Sequence, residues 1–68
     1  MASIKYIIGV HQEGKGYTGL QNKATSIGDA EQVAKQSIKY AAQYYGLPVS
    51  DFWAEIRTDK GLFQKRVG

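Results

Sequence analysis

Trp53 and Arg57 are the residues whose types and spacing most suggest chemistry. They fall four positions apart in a stretch, Phe52 to Thr58, that alternates apolar and polar residues. Such alternation predicts a strand with Phe52, Ala54 and Ile56 on one face and Trp53, Glu55 and Arg57 on the other. Tryptophan and arginine together on an exposed sheet face can stack nucleobases or anchor a protein contact. If the first strand lies alongside, Lys5 and Ile7 join that face. The competing expectation is structural: Trp53 covers the second face of the sheet or a dimer contact, and Arg57 pairs with Glu55 or another acid. Further candidate contacts are Lys35 and Lys39, one helical turn apart, the neighbouring Tyr40, and the basic cluster of Lys60, Lys65 and Arg66.

Catalytic readings fare worse. His11, Glu13, Asp29, Asp51 and Asp59 could be offered as acid–base groups, yet no serine or cysteine nucleophile has a local motif. Most of these carboxylates fall at expected turns or caps, where they serve solubility and local structure. Gly14-Lys15-Gly16 superficially resembles a phosphate-cradling loop, but it leads into a strand, so no helix N-terminus stands behind it to hold an anion. The expectation is a protein that acts by occupancy, with no cofactor.

Composition narrows the partners. The 68 residues contain no cysteine and one histidine, His11, so disulfides, thiolate sites and the usual zinc sets are not expected. Nine Lys and Arg against six Asp and Glu give a net charge of +3, a mild excess that fits an anionic partner, either nucleic acid or an acidic protein surface. No apolar run approaches the ~20 residues of a membrane span, the N-terminus lacks the order of a signal peptide, and the absence of cysteine makes a reducing cytoplasm the expected location. A core this small contributes only a few kcal/mol. An open sheet face would therefore gain from docking, either on a partner or in a homodimer.

The elements that must position these residues are legible as a ββαββ order. Ala2 to His11 predicts a first strand with Ile4, Tyr6, Ile8 and Val10 inward. Gln12 to Gly16 predicts a hairpin loop, and Tyr17 to Ala24 a softer edge strand with Thr18, Leu20 and Ala24 inward. Ile27 to Tyr45 predicts one helix, capped by Ser26, with Asp29 and Glu31 in its first turn. Its apolar stripe runs through Ile27, Ala30, Val33 and Ala34, Ser37 and Ile38, Ala41 and Tyr45. Tyr45 and Tyr44 are expected in the core and Tyr40 outside it. Gly46 suits a left-handed C-cap, and Pro48 prevents the helix resuming. Phe52 to Thr58 and Leu62 to Val67, joined by Asp59-Lys60-Gly61, predict the second hairpin. The fold expected is a single α+β domain, a four-stranded antiparallel sheet with one helix packed on one face.

Three segments carry a family resemblance: Lys5-Tyr6-Ile7-Ile8; Ala24 to Ala30 leading into a Lys- and Gln-rich helix; and Glu55-Ile56-Arg57-Thr58 before Gly61-Leu62-Phe63. Together with the element order they resemble very small anti-CRISPR proteins of phages and mobile elements, closest to type I-F inhibitors. The resemblance implies stoichiometric inhibition, in which the protein binds an RNA-guided surveillance complex and keeps target DNA from hybridising with the guide. The alternative expectation is a small basic nucleic-acid-binding or regulatory protein of phage or bacterial origin. Individual contact residues are chosen from residue type and expected exposure, not carried over from the family.

Overall fold

Two residues delimit the helix. The Ser26 side chain accepts a hydrogen bond from the Asp29 backbone N–H at 3.2 Å, and Gly46 closes the other end in the left-handed region at φ 67°. Between them α1 spans Ile27–Tyr45. The computed structural model describes residues 3–68. The strands are β1 (Tyr6–Gln12), β2 (Gly16–Ala24), β3 (Phe52–Thr58) and β4 (Phe63–Val67), with a short 3₁₀ turn at Val49–Asp51 before β3. They form one antiparallel sheet in the order β2-β1-β3-β4, so the two hairpins meet along β1 and β3 and the helix connects them. This is an α+β domain of ββαββ order. Among the described residues, no helix is long and apolar enough to cross a membrane.

One face of the sheet meets the helix. Ile8 and Val10 of β1 and Phe52, Ala54 and Ile56 of β3 are buried there against Ala30, Ala34, Ile38, Ala41 and Ala42. The alanine-rich stripe explains the close approach, because a methyl group lets the helix backbone settle near the strands. Polar matching also occurs at this interface. Asn22 Nδ2 of β2 donates to Ser37 Oγ at 2.7 Å, which satisfies the one buried polar side chain of the helix.

The helix has the bounds read from the sequence, but the start of β1 and the burial of the residues at the helix ends differ from that reading. Ile4 is 46% exposed and lies before β1, and the expected beginning at Ala2 falls outside the described residues. Ile27 and Tyr45, assigned to the apolar stripe, are exposed because they occupy the terminal turns, which overhang the sheet. Tyr44, expected in the core, is 68% exposed. Tyr45 still stacks on Phe52, with ring centroids 5.8 Å apart, and Tyr44 packs edge-on against it. β2 is an edge strand as expected. Its irregularity has a specific cause: three residues, Thr18 to Leu20, oppose Val10 alone, with Gly19 at φ 89°. The Thr18 hydroxyl donates to the Val10 carbonyl at 2.8 Å and holds this bulge against its neighbour.

The β3–β4 turn is tied by Thr58. Its side-chain oxygen accepts from the backbone N–H groups of Lys60 and Leu62, while Gly61 takes a φ of 88°. That glycine sits where the sequence requires a left-handed residue.

Candidate functional site

The other face of the sheet carries no helix. Strand pairing fixes what stands on it. His11 lies opposite Trp53, Gly9 opposite Glu55 and Ile7 opposite Arg57 across β1 and β3, while Arg66 of β4 lies opposite Glu55. Tyr17 of β2 faces His11. Because side chains alternate along a strand, all these residues project from the face that Phe52, Ala54 and Ile56 do not use.

A row of π systems and a guanidinium crosses all four strands. The His11 and Trp53 rings stack with centroids 4.2 Å apart and planes 10° from parallel. Tyr17 flanks His11 at 5.5 Å in a tilted arrangement. The Arg66 guanidinium carbon lies 4.2 Å from the centre of the Trp53 ring. Since β1 and β4 flank β3 on opposite sides, His11 and Arg66 cover the two faces of the indole. Stacking of this kind adds about 0.5–1.5 kcal/mol beyond area burial, and an exposed cation–π contact about 0.5–1 kcal/mol.

Ion pairs hold the cations in this row. Arg57 Nε donates to Glu55 Oε1, and Arg57 Nη1 donates to the Gly61 carbonyl at 3.0 Å. Glu55 also lies 3.8 Å from His11 Nε2. Arg66 donates from Nε to the Gly68 carbonyl at 3.2 Å and reaches Glu13 at 3.7 Å. Glu55 is the hub of the face, with a side chain only 14% exposed. A shallow depression of about 280 Å³ lies beside it, floored by Gly9 and walled by Tyr17, His11 and Arg57. Tyr17 leans over Gly9, where an added Cβ would lie 3.2 Å from the ring.

The structure divides the residues singled out from the sequence among different surfaces. Trp53, Arg57 and Arg66 come together on the open face. Trp53 neighbours His11 and not Ile7 or Lys5. Arg57 neighbours Ile7, and the exposed Lys5 precedes β1 beyond that end of the face, its carbonyl accepting from Asp59 N–H at 2.9 Å. The expected Arg57–Glu55 pair is present. The basic cluster of Lys60, Lys65 and Arg66 is split by strand alternation. Lys65 turns to the helix side and pairs with Glu31, Arg66 turns to the open face, and Lys60 stays in the turn. The hydrogen bond and charge of Lys65 hold the Glu31 carboxyl below the usual carboxylate range, with a smaller pull from Lys35. A lowered folded-state pKa contributes stability above the unfolded value and loses it as pH falls through the folded one, so this pair weakens only in acid.

Lys39 and Tyr40, adjacent in sequence, point to opposite flanks of the helix. Lys35 and Lys39 border a cleft on the β4 side, and Tyr40 borders a groove on the β2 side. Sequence reasoning missed His11 and Tyr17 as parts of the aromatic row. The signal for His11 was its even spacing from Ile7 and Gly9 on the first strand, which gave its face and not its partner on another strand; Tyr17 lies across the hairpin loop and had no such signal. Among the described residues, no three His, Asp or Glu side chains gather to hold a metal ion. Compared with known protein families, curated proteins and solved structures, the chain matches none.

Proposed function

We propose that this protein is a non-catalytic inhibitor that docks its open sheet face on an RNA-guided CRISPR surveillance complex and blocks target DNA binding. The observation that carries the docking surface is Trp53 held between His11 and Arg66 on an exposed face. Tryptophan and arginine dominate protein hot spots, and side chains already ordered before binding avoid an entropy cost of about 0.5–1.5 kcal/mol each. The choice of partner rests on the three segments that resemble type I-F inhibitors.

The same geometry argues against base stacking as the main contact. A base needs a free ring face, and both faces of Trp53 are already covered. What remains exposed is the edge of a rigid row, suited to fitting against a protein surface. Size adds a constraint. Four strands of about seven residues present a flat area of roughly 400 Å², about half of one side of a standard interface. Contacts must therefore extend onto the flanking loops at Gln12 to Gly16 and Asp59 to Gly61.

Direct nucleic-acid binding is the second reading, favoured by Lys23, which stands opposite Ile7 on the same face, and by Lys5 nearby; neither has an acid within 4.0 Å among the described residues. Titrating the protein into a purified type I-F complex and following target DNA binding tests the inhibitor reading. Inhibition is expected to saturate at a fixed ratio of protein to complex. Inhibition at strongly substoichiometric amounts would mean turnover, and no inhibition at any ratio would remove this partner.

A further inference from the structure

The helix leaves part of the sheet bare for a dimensional reason. A helix with its side chains is about 10–12 Å across, whereas four strands span roughly 19 Å. α1 packs on β1, β2 and β3 and barely reaches β4. Near the start of the helix the Lys65–Glu31 pair bridges the gap. Farther along Gly68 approaches the helix at Ile38, and a cleft of about 530 Å³ opens between the middle of α1, the 3₁₀ turn and the end of β4.

Its lining is almost wholly apolar, with Ile38, Val49, Phe52 and Val67 forming the floor and outer lip. Lys35 and Lys39 stand one turn apart on the helix wall, in line with Glu31. Glu31 spends its charge on Lys65, and neither Lys35 nor Lys39 has an acid within 4.0 Å among the described residues. An apolar trough with two ammonium groups on one rim, neither in a close ion pair, is complementary to a ligand that is apolar below and anionic beside.

We infer that this cleft docks an acidic segment of a partner protein, seating one large aliphatic or aromatic side chain over Ile38, Phe52 and Val67. Carboxylates on the flanking residues of that segment meet Lys35 and Lys39. The trough is open along its outer lip, where Val49 is half exposed. It would leave a free alkyl chain partly wet, whereas closed small-molecule sites bury most of their ligand. A side chain presented by a protein needs no such enclosure. The cleft is on the helix side of the sheet, so this inference stands apart from the open-face reading.

The test uses the whole protein labelled for amide NMR and a short blocked peptide with a Leu-Phe centre flanked by glutamates. The expected result is a saturable shift of amides in Lys35 to Lys39, Val49 to Phe52 and Val67. Lys35→Gln with Lys39→Gln should weaken binding about tenfold with little change in melting temperature, since both side chains are exposed and neither is in a close ion pair. Replacing the peptide's Leu-Phe by Ala-Ala should weaken it similarly. The inference is overturned if no amide shifts at millimolar peptide, if the double variant binds equally well, or if shifts centre on Trp53. Tighter binding of decanoate than of the peptide would also overturn it, marking a fatty-acid site.

Discussion

Replacing Ile56 with alanine is expected to lower folding stability by about 3 kcal/mol. Ile56 is fully buried and lies opposite Ile8, also fully buried, on the two central strands. With Val10 these are the largest fully buried side chains. The helix above them presents mainly alanines, which are too short to collapse into the space left behind. Three methylene-sized groups would be lost and a cavity would remain, and both terms destabilise. A domain of this length has only about 3–5 kcal/mol from its core, so the variant should sit near its folding midpoint at room temperature. Urea or thermal unfolding followed by circular dichroism measures this, with a melting point lower by roughly 15 °C or more. A loss under about 1 kcal/mol would show that the core is not centred on the β1–β3 pair.

Trp53→Ala should act mainly on binding. The substitution removes the stack on His11 and the cation–π contact with Arg66, but the indole is only half buried, so the folding cost should stay near 1–2 kcal/mol. Partner affinity should fall by about 2 kcal/mol, close to thirtyfold, because Arg66 also loses the surface that positions it. Arg57→Ala provides the paired measurement. Arg57 is half exposed and its removal leaves the core untouched, so binding should weaken by about 1–2 kcal/mol with little change in melting point. If Trp53→Ala unfolds the domain while Arg57→Ala leaves binding unchanged, the open face is not the site. The interface would then be sought along the helix flank bearing Lys35 and Lys39.

Features set by neighbours in sequence were readable before the fold. Ser26 and Gly46 bound the helix because capping needs only a local side chain and a permissive φ. Gly61 marks its turn for the same reason. The alternation of Ile8 and Val10, and of Phe52, Ala54 and Ile56, assigns the buried face, since the strand period is two residues. What depends on register between distant strands was not readable. The stacking of His11 on Trp53 requires β1 and β3, more than forty residues apart, to pair in one register. A shift of two residues would have kept every face assignment and placed Gly9 or Glu13 beside the indole instead. The three-residue bulge opposite Val10 likewise adds residues to β2 without altering its apolar pattern. Tyr44, Tyr45 and Ile27 were misjudged because periodicity says which side of a helix is apolar, and cannot say where the sheet beneath it ends. The dispersal of Lys65 and Arg66 to opposite faces follows from strand alternation alone, and adjacency in sequence obscured it.

The preorganised sheet face is proposed to meet a protein surface in preference to nucleic-acid phosphates. The most direct test is equilibrium binding of the protein to a purified type I-F surveillance complex and to free DNA and RNA, each measured across a range of salt. Binding to the complex should be far tighter than to either free nucleic acid and should weaken only modestly with salt, because the open-face arginines are already paired. A phosphate binder making several contacts behaves differently, losing roughly 10³-fold or more in affinity between about 50 and 200 mM salt. Comparable affinity for free DNA or RNA, falling that steeply, would contradict the account.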